Sequence, residues 1–272
     1  MTLSLAFSPC PNDTFVFHAL THGLVPGAPD FDVTYADVDV TNTAAERGAF
    51  DLVKVSYAAL PWLLDKYTLL PCGGALGRGC GPLVLVKDQA ITSLGGRSVA
   101  VPGDRTTAYV LMRLWSVEEP PASVEIVPFN EIMPAVAAGK FDAGLVIHEA
   151  RFTYQRHGLH ALADLGEWWE EDTGLPIPLG AILAHRDRVD PEQATAWIKE
   201  SVRQAWANPA AGRDFVLSHA QEMEQSVGDR HIALYVNEFT ASLGPDGHAA
   251  VDALLTRAAV EGLVPATPLV TA

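Results

Sequence analysis

His148, Glu149 and Arg151 stand together at the end of an apolar run, Ala143-Gly144-Leu145-Val146-Ile147, with Phe152 and Tyr154 just behind them. A run that short and apolar predicts a buried strand of a parallel sheet. Ligands of open α/β sheets lie outside the carboxyl ends of the strands. His148 is then the first polar side chain that a ligand meets, and a histidine neutral near pH 7 is the usual general base. The same reasoning brings Ser8 to Thr14, Lys54, Ser56 and Tyr57 to the cleft from the other side. Thr106 and Thr107 sit at a predicted helix start, where free N–H groups and the positive dipole end suit a carboxylate or phosphate. The alternative readings are a satisfied structural histidine and a plain N-cap. No second His or Cys lies at metal-ligand spacing and there is no Gly-x-Ser-x-Gly elbow, so neither a metal site nor a serine hydrolase is expected.

The elements that must hold these residues recur in order. Strands are predicted over 3–7, 31–38 and 51–56, with helices over 14–22 (capped by Asn12 or Asp13), 41–47 and 57–66. The pattern then restarts, with strands over 97–101, 124–127 and 142–147 and helices over 108–116 and 131–138. Gly48-Ala49-Phe50-Asp51 in the first half is matched by Gly139-Lys140-Phe141-Asp142 in the second. Two β-α-β-α-β units of this kind each need a parallel sheet with right-handed crossovers. Between them, Cys72 to Pro82 carries five glycines in eleven residues. That stretch predicts irregular chain, and no Gly-Lys-Ser/Thr makes it a phosphate loop. Gly79 and Gly81 are expected to permit a backbone crossing or a close ligand approach. A strand over 83–87 leaves it, a strand over 179–184 crosses back, and the chain is helical from Asp190 on. Trp197, Ile198, Val202, Trp206, Ile232, Tyr235, Val236 and Phe239 recur there at helical spacing and are assigned to packing. The expected architecture is α/β with two lobes and a ligand cleft between them: 1–86 plus 180–272 as a discontinuous first lobe, and 87–179 as an inserted second.

With 18 Lys and Arg against 33 Asp and Glu, the 272-residue chain carries a formal charge of −15. So acidic a surface argues against nucleic acid and anionic membranes as partners. The N-terminus reads as no secretory signal, and no stretch approaches the roughly 18 apolar residues of a membrane span. Three cysteines, Cys10, Cys72 and Cys80, make no disulfide framework, so a cytoplasmic location is expected.

Five ordered motifs carry a family resemblance: Ser8-Pro9-Cys10-Pro11-Asn12-Asp13-Thr14-Phe15, Lys54-Val55-Ser56-Tyr57, Gly73-Gly74-Ala75-Leu76-Gly77-Arg78-Gly79, Thr106-Thr107-Ala108-Tyr109 and Ile147 through Tyr154. Together they resemble the 1,4-dihydroxy-6-naphthoate synthase family of the futalosine route to menaquinone, over nearly the whole chain. The resemblance implies a type II periplasmic-binding-protein-like fold used for catalysis. It implies cyclic dehypoxanthine futalosine as substrate, carbon–carbon cleavage with aromatisation, and no cofactor. It makes His148 the base and Lys54, Val55, Ser56, Thr106 and Thr107 substrate-binding, with Asn12, Arg78, Arg151 and Tyr154 as further candidates. A non-catalytic solute-binding protein for a small aromatic carboxylate explains fold and cleft equally well, but predicts an export signal and needs no base. The sister dehydratase of the same route and fold would lack the histidine motif.

Overall fold

A computed structural model describes residues 2–220 and 224–267. The first unit runs β1 (Thr2–Phe7), α1 (Pro11–Thr21), β2 (Asp30–Tyr35), α2 (Val38–Glu46) and β3 (Leu52–Ser56), then a 3-10 turn, Tyr57–Trp62, and the short strands β4 (Tyr67–Leu69) and β5 (Ala75–Gly77). The second runs β6 (Leu83–Val86), β7 (Ser98–Val101), α3 (Thr107–Trp115), β8 (Ser123–Ile126), α4 (Phe129–Ala137), β9 (Ala143–Val146), α5 (Ala150–Thr153), β10 (His160–Asp164) and α6 (Leu165–Thr173). The chain returns through β11 (Ile177–His185) and closes with α7 (Pro191–Ala207), α8 (Arg213–His219), α9 (Gln225–Tyr235), α10 (Glu238–Ala241) and α11 (Gly244–Val260). No helix among the described residues is long and apolar enough to cross a membrane.

Two sheets result, ordered β2-β1-β3-β11-β4 and β10-β6-β9-β7-β8. In the first, β1 is parallel to both β2 and β3, and β11 lies antiparallel against β3. In the second, β7 is parallel to both β8 and β9, and β6 lies antiparallel against β9. Each sheet is thus one parallel β-α-β-α-β unit closed by a strand running the other way. The repeated tetrapeptide does the same work twice. Asp51 accepts from the amide and hydroxyl of Ser4 at 2.8 and 2.9 Å, and Asp142 accepts from those of Ser98 at 2.8 and 2.9 Å. The Phe-Asp aspartate ties the start of the third strand to the start of the first in both lobes. Its glycine, Gly48 or Gly139, takes the left-handed φ (68° and 75°) that ends the preceding helix.

Sheet membership moves the lobe boundaries. Leu83–Val86, expected to end the first lobe, is β6 of the second sheet, paired with β9 along its length. Residues 177–179, expected in the inserted lobe, begin β11 of the first sheet, where Ile177 pairs with Gly77. Among the described residues we therefore propose lobes of 2–82 with 177–267, and of 83–176. The glycine-rich stretch is less irregular than its composition suggests, because Ala75–Gly77 pairs with β11. Its later glycines do serve a crossing: a Cβ on Gly81 would lie 2.1 Å from the Gly166 amide nitrogen. Helix α1 begins at Pro11 with Cys10 at the N-cap, earlier than an Asn12 or Asp13 cap would allow. Proline suits the first helical position, whose N–H has no intrahelical acceptor anyway.

Candidate active site

The carboxyl ends of β1, β3, β7 and β9 converge on one cavity between the lobes. From the first lobe Ser8, Asn12, Asp13, Thr41, Lys54, Ser56 and Pro82 line it, and from the second Thr106, Thr107, Ala108, Ile147 and His148. Leu179 and Gly180 of β11 form a wall, and His231 and Tyr235 of α9 close another side. The first turns of α1 and α3 both face this space, so two helix N-termini offer amides and dipole to an anion.

His148 is the one non-glycine residue with positive φ, 56°, among the described residues. Histidine is among the few side chains that tolerate this region, and such outliers concentrate at functional sites. The turn aims the ring back at α1. Nδ1 lies 3.1 Å from Cys10 Sγ, and Phe129 stands edge-on with centroids 5.1 Å apart. Nε2 is shielded from bulk solvent and has no protein hydrogen-bond partner among the described residues. Cys10 is in turn 3.7 Å from Glu149 Oε2. Burial, then the Glu149 carboxylate, push the Cys10 thiol well up, so it is neutral. A neutral thiol can donate to Glu149 while its sulfur accepts from Nδ1–H. That arrangement leaves the lone pair on Nε2, facing the cavity. Burial, then the charge of Lys54, lower His148 to about 3, so it is an unprotonated acceptor at neutral pH.

Lys54 and Asp13 form a buried ion pair at the floor, 7% and 2% exposed. Asn12 donates to the same carboxylate at 2.7 Å. Burial raises the Asp13 carboxyl despite its Lys54 partner. Gly180 makes room for the lysine: a Cβ there would stand 2.9 Å from Lys54 Cε.

Thr106 caps α3, accepting from the Tyr109 amide at 3.1 Å. The Thr107 hydroxyl donates to Leu179 O at 2.9 Å and accepts from the Ala58 amide at 3.2 Å, so it joins the second lobe to the first. Asn42 bridges similarly, accepting from the Ser56 amide at 2.8 Å and donating to Arg105 O at 3.3 Å. Arg105 pairs with Glu46 and stacks 4.2 Å over Trp62. The lobes are latched together on this side.

Six of the ten residues expected at the site, Asn12, Lys54, Ser56, Thr106, Thr107 and His148, line the cavity; the other four do not. Val55 points from the opposite face of β3 into the core, fully buried; strand alternation puts it opposite Lys54 and Ser56. Arg78 is claimed by Gly174 O at 3.0 Å and by Glu170. Arg151 donates to Gly81 O at 2.8 Å and pairs with Asp164, clamping the crossing segment. Tyr154 packs on the second-lobe core. Tyr235, assigned to packing alone, is core and also cavity wall. The structure adds His231, and within the expected Ser8–Thr14 stretch it makes Asp13 a cavity residue and Cys10 the partner of His148. Cys10 and His148 are 138 residues apart in sequence, so no local spacing could pair them. With Glu149 they bring three potential ligand atoms within 4.8 Å of one another, a cluster that sequence spacing did not suggest. The raised thiol favours the neutral form over the thiolate that ligates metals.

Two lobes joined by crossing strands, with a cleft at the strand ends, define the class of type II periplasmic-binding-protein-like folds. The alkanesulfonate-binding protein SsuA of Xanthomonas axonopodis pv. citri shares this fold, with a TM-score of 0.72 over 99% of this chain and 96% of its own at 17% identity. A family model described as menaquinone biosynthesis matches residues 3–260. The chain is also 64% identical over 270 residues to a Streptomyces coelicolor protein named 1,4-dihydroxy-6-naphtoate synthase, covering 97% of this chain and 95% of that one. It is 45% identical to the Thermus thermophilus protein of that name, covering 98% and 97%. The protein belongs to the menaquinone biosynthesis family.

Proposed function

We propose that the protein is a cytoplasmic carbon–carbon lyase that converts cyclic dehypoxanthine futalosine to 1,4-dihydroxy-6-naphthoate and a three-carbon sugar fragment. The observation that carries this reading is His148 Nε2: a neutral, unpartnered base held at positive φ in a cleft with a buried cation and two helix N-termini. The substrate carries an aromatic carboxylate and a hydroxylated, sugar-derived ring. The carboxylate is held by Lys54 and the helix amides. Nε2 removes a hydroxyl proton; the C–O bond becomes a carbonyl as the neighbouring C–C bond breaks. The bonding pair passes into the carboxylated ring system, which is reprotonated and gains aromaticity. Electrons balance without an external oxidant or reductant. The incoming carboxylate offsets Lys54, one of the two causes that depress His148, and so strengthens the base when substrate is present. Closed lobes exclude water and fix the reacting atoms.

A solute-binding protein would have the same fold and no need of a strained base. Incubating the purified protein with cyclic dehypoxanthine futalosine separates the two: naphthoate absorbance grows under the lyase reading, and binding without product contradicts it. Two predictions accompany that assay. Prior treatment with a strong chelator leaves turnover unchanged; a loss restored by a divalent ion would make Cys10, His148 and Glu149 a metal site. Thr107→Ala raises KM roughly three- to tenfold with kcat little altered, because one hydroxyl bridging the lobes is worth about 0.5–1.5 kcal/mol. An unchanged KM would remove Thr107 from substrate capture.

A further inference from the structure

His231 lies in α9, outside both β-α-β-α-β units, and is 1% exposed. It lines the same cavity as His148. Neither of its ring nitrogens has a protein hydrogen-bond partner among the described residues. Its position is set by packing: the Tyr235 ring lies 4.4 Å away at 33°, and Phe152 from the second lobe stands edge-on at 6.3 Å. Buried polar groups are ordinarily satisfied, so a buried imidazole with two unmatched nitrogens asks for a ligand. Burial, then His148, then Lys54 all lower its proton affinity. The ring is therefore neutral, with one N–H donor and one lone pair.

That pattern discriminates between parts of a ligand. A carboxylate has only acceptors, and Lys54 with the helix amides already serves it. A hydroxyl both donates and accepts, matching the imidazole at either nitrogen. Resting on the proposed function above, we infer that His231 is a second substrate-contacting histidine, which binds the hydroxylated, sugar-derived part of the substrate while His148 takes the proton. It thereby selects for a polyol-bearing substrate over a flat aromatic carboxylate.

The test uses His231→Phe and His231→Gln beside the wild-type protein, read by KM, kcat and melting temperature. Phenylalanine keeps the packing against Tyr235 and removes the unmatched nitrogens. Expected for His231→Phe is a KM raised roughly tenfold, the loss of about one hydrogen bond, with a melting temperature equal to or above wild type. Glutamine, which keeps a donor and an acceptor, recovers part of that loss. An unchanged KM in His231→Phe overturns the inference. So does a lowered melting temperature with the same KM loss in both variants, which marks a packing role. Failure of the wild-type protein to turn over cyclic dehypoxanthine futalosine refutes the proposed function and this inference with it; normal wild-type turnover beside an unaffected His231→Phe refutes only the latter.

Discussion

His148→Asn lowers kcat for naphthoate formation by at least about a hundredfold, the lower end of what a positioned general base supplies, while substrate binding stays close to wild type. A base acts in the transition state, so its loss falls on the catalytic step rather than on uniform binding. Asparagine is the informative replacement because the site sits at φ 56°, and asparagine tolerates the left-handed region best among non-glycine residues. At pH 7 the melting temperature should hardly move, since the histidine is neutral folded and about three-quarters neutral unfolded, a difference worth only about 0.2 kcal/mol. Acid stability does move. The folded value, about 3, lies below the ordinary histidine value of 6.5. The associated stability is therefore full above about pH 6.5 and drains away as pH falls toward 3. The variant lacks that drain and should unfold at lower pH than wild type. A structural histidine would give the reverse pattern, a lower melting temperature at neutral pH with turnover per folded molecule retained.

Lys54→Met destabilises the protein by about 3–5 kcal/mol, the cost of stranding one partner of a buried ion pair, which corresponds to roughly a 10 °C fall in melting temperature. Asp13 is left 2% exposed without its cation. Its carboxyl is already raised by burial and rises further without Lys54. A raised acid contributes stability below its unfolded value that is lost as pH rises, so the deficit of the variant should shrink toward pH 4. Adding Asp13→Asn to Lys54→Met should recover much of the loss at neutral pH. Thermal melts of the three proteins across pH 4–8 check both statements; a single variant as stable as wild type would show the pair to be solvated rather than buried.

The parts of the fold governed by local pattern were legible in the sequence. Apolar runs and glycine stops placed nearly every strand and helix of both repeats. The twin Gly-x-Phe-Asp segments announced an equivalence that the matched serine–aspartate bonds bear out. What escaped was short, edge-like or non-local. Tyr67–Leu69 has three residues, and His160–Asp164 is an exposed edge strand with a register shift; neither shows a clean alternation. Leu83–Val86 reads as a strand, but only its partner β9 decides which lobe owns it. At the site, strand period alone separates Lys54 and Ser56 from Val55. Arg78 and Arg151 look like ligand-binding cations in sequence, yet main-chain carbonyls from distant segments claim them. The pairing of Cys10 with His148 and the arrival of His231 at the cavity come from tertiary contacts that no motif spacing encodes.

Single-turnover conversion of cyclic dehypoxanthine futalosine, with enzyme in excess and naphthoate absorbance followed from pH 4 to 8, tests the central claim most directly. Excess enzyme removes product release from the rate and masks modest differences in affinity. Wild-type protein is expected to form one equivalent of naphthoate, with His148→Asn bound but at least about a hundredfold slower at every pH. No naphthoate from the wild-type protein, or equal rates from the two, would contradict a His148-initiated cleavage in this cleft.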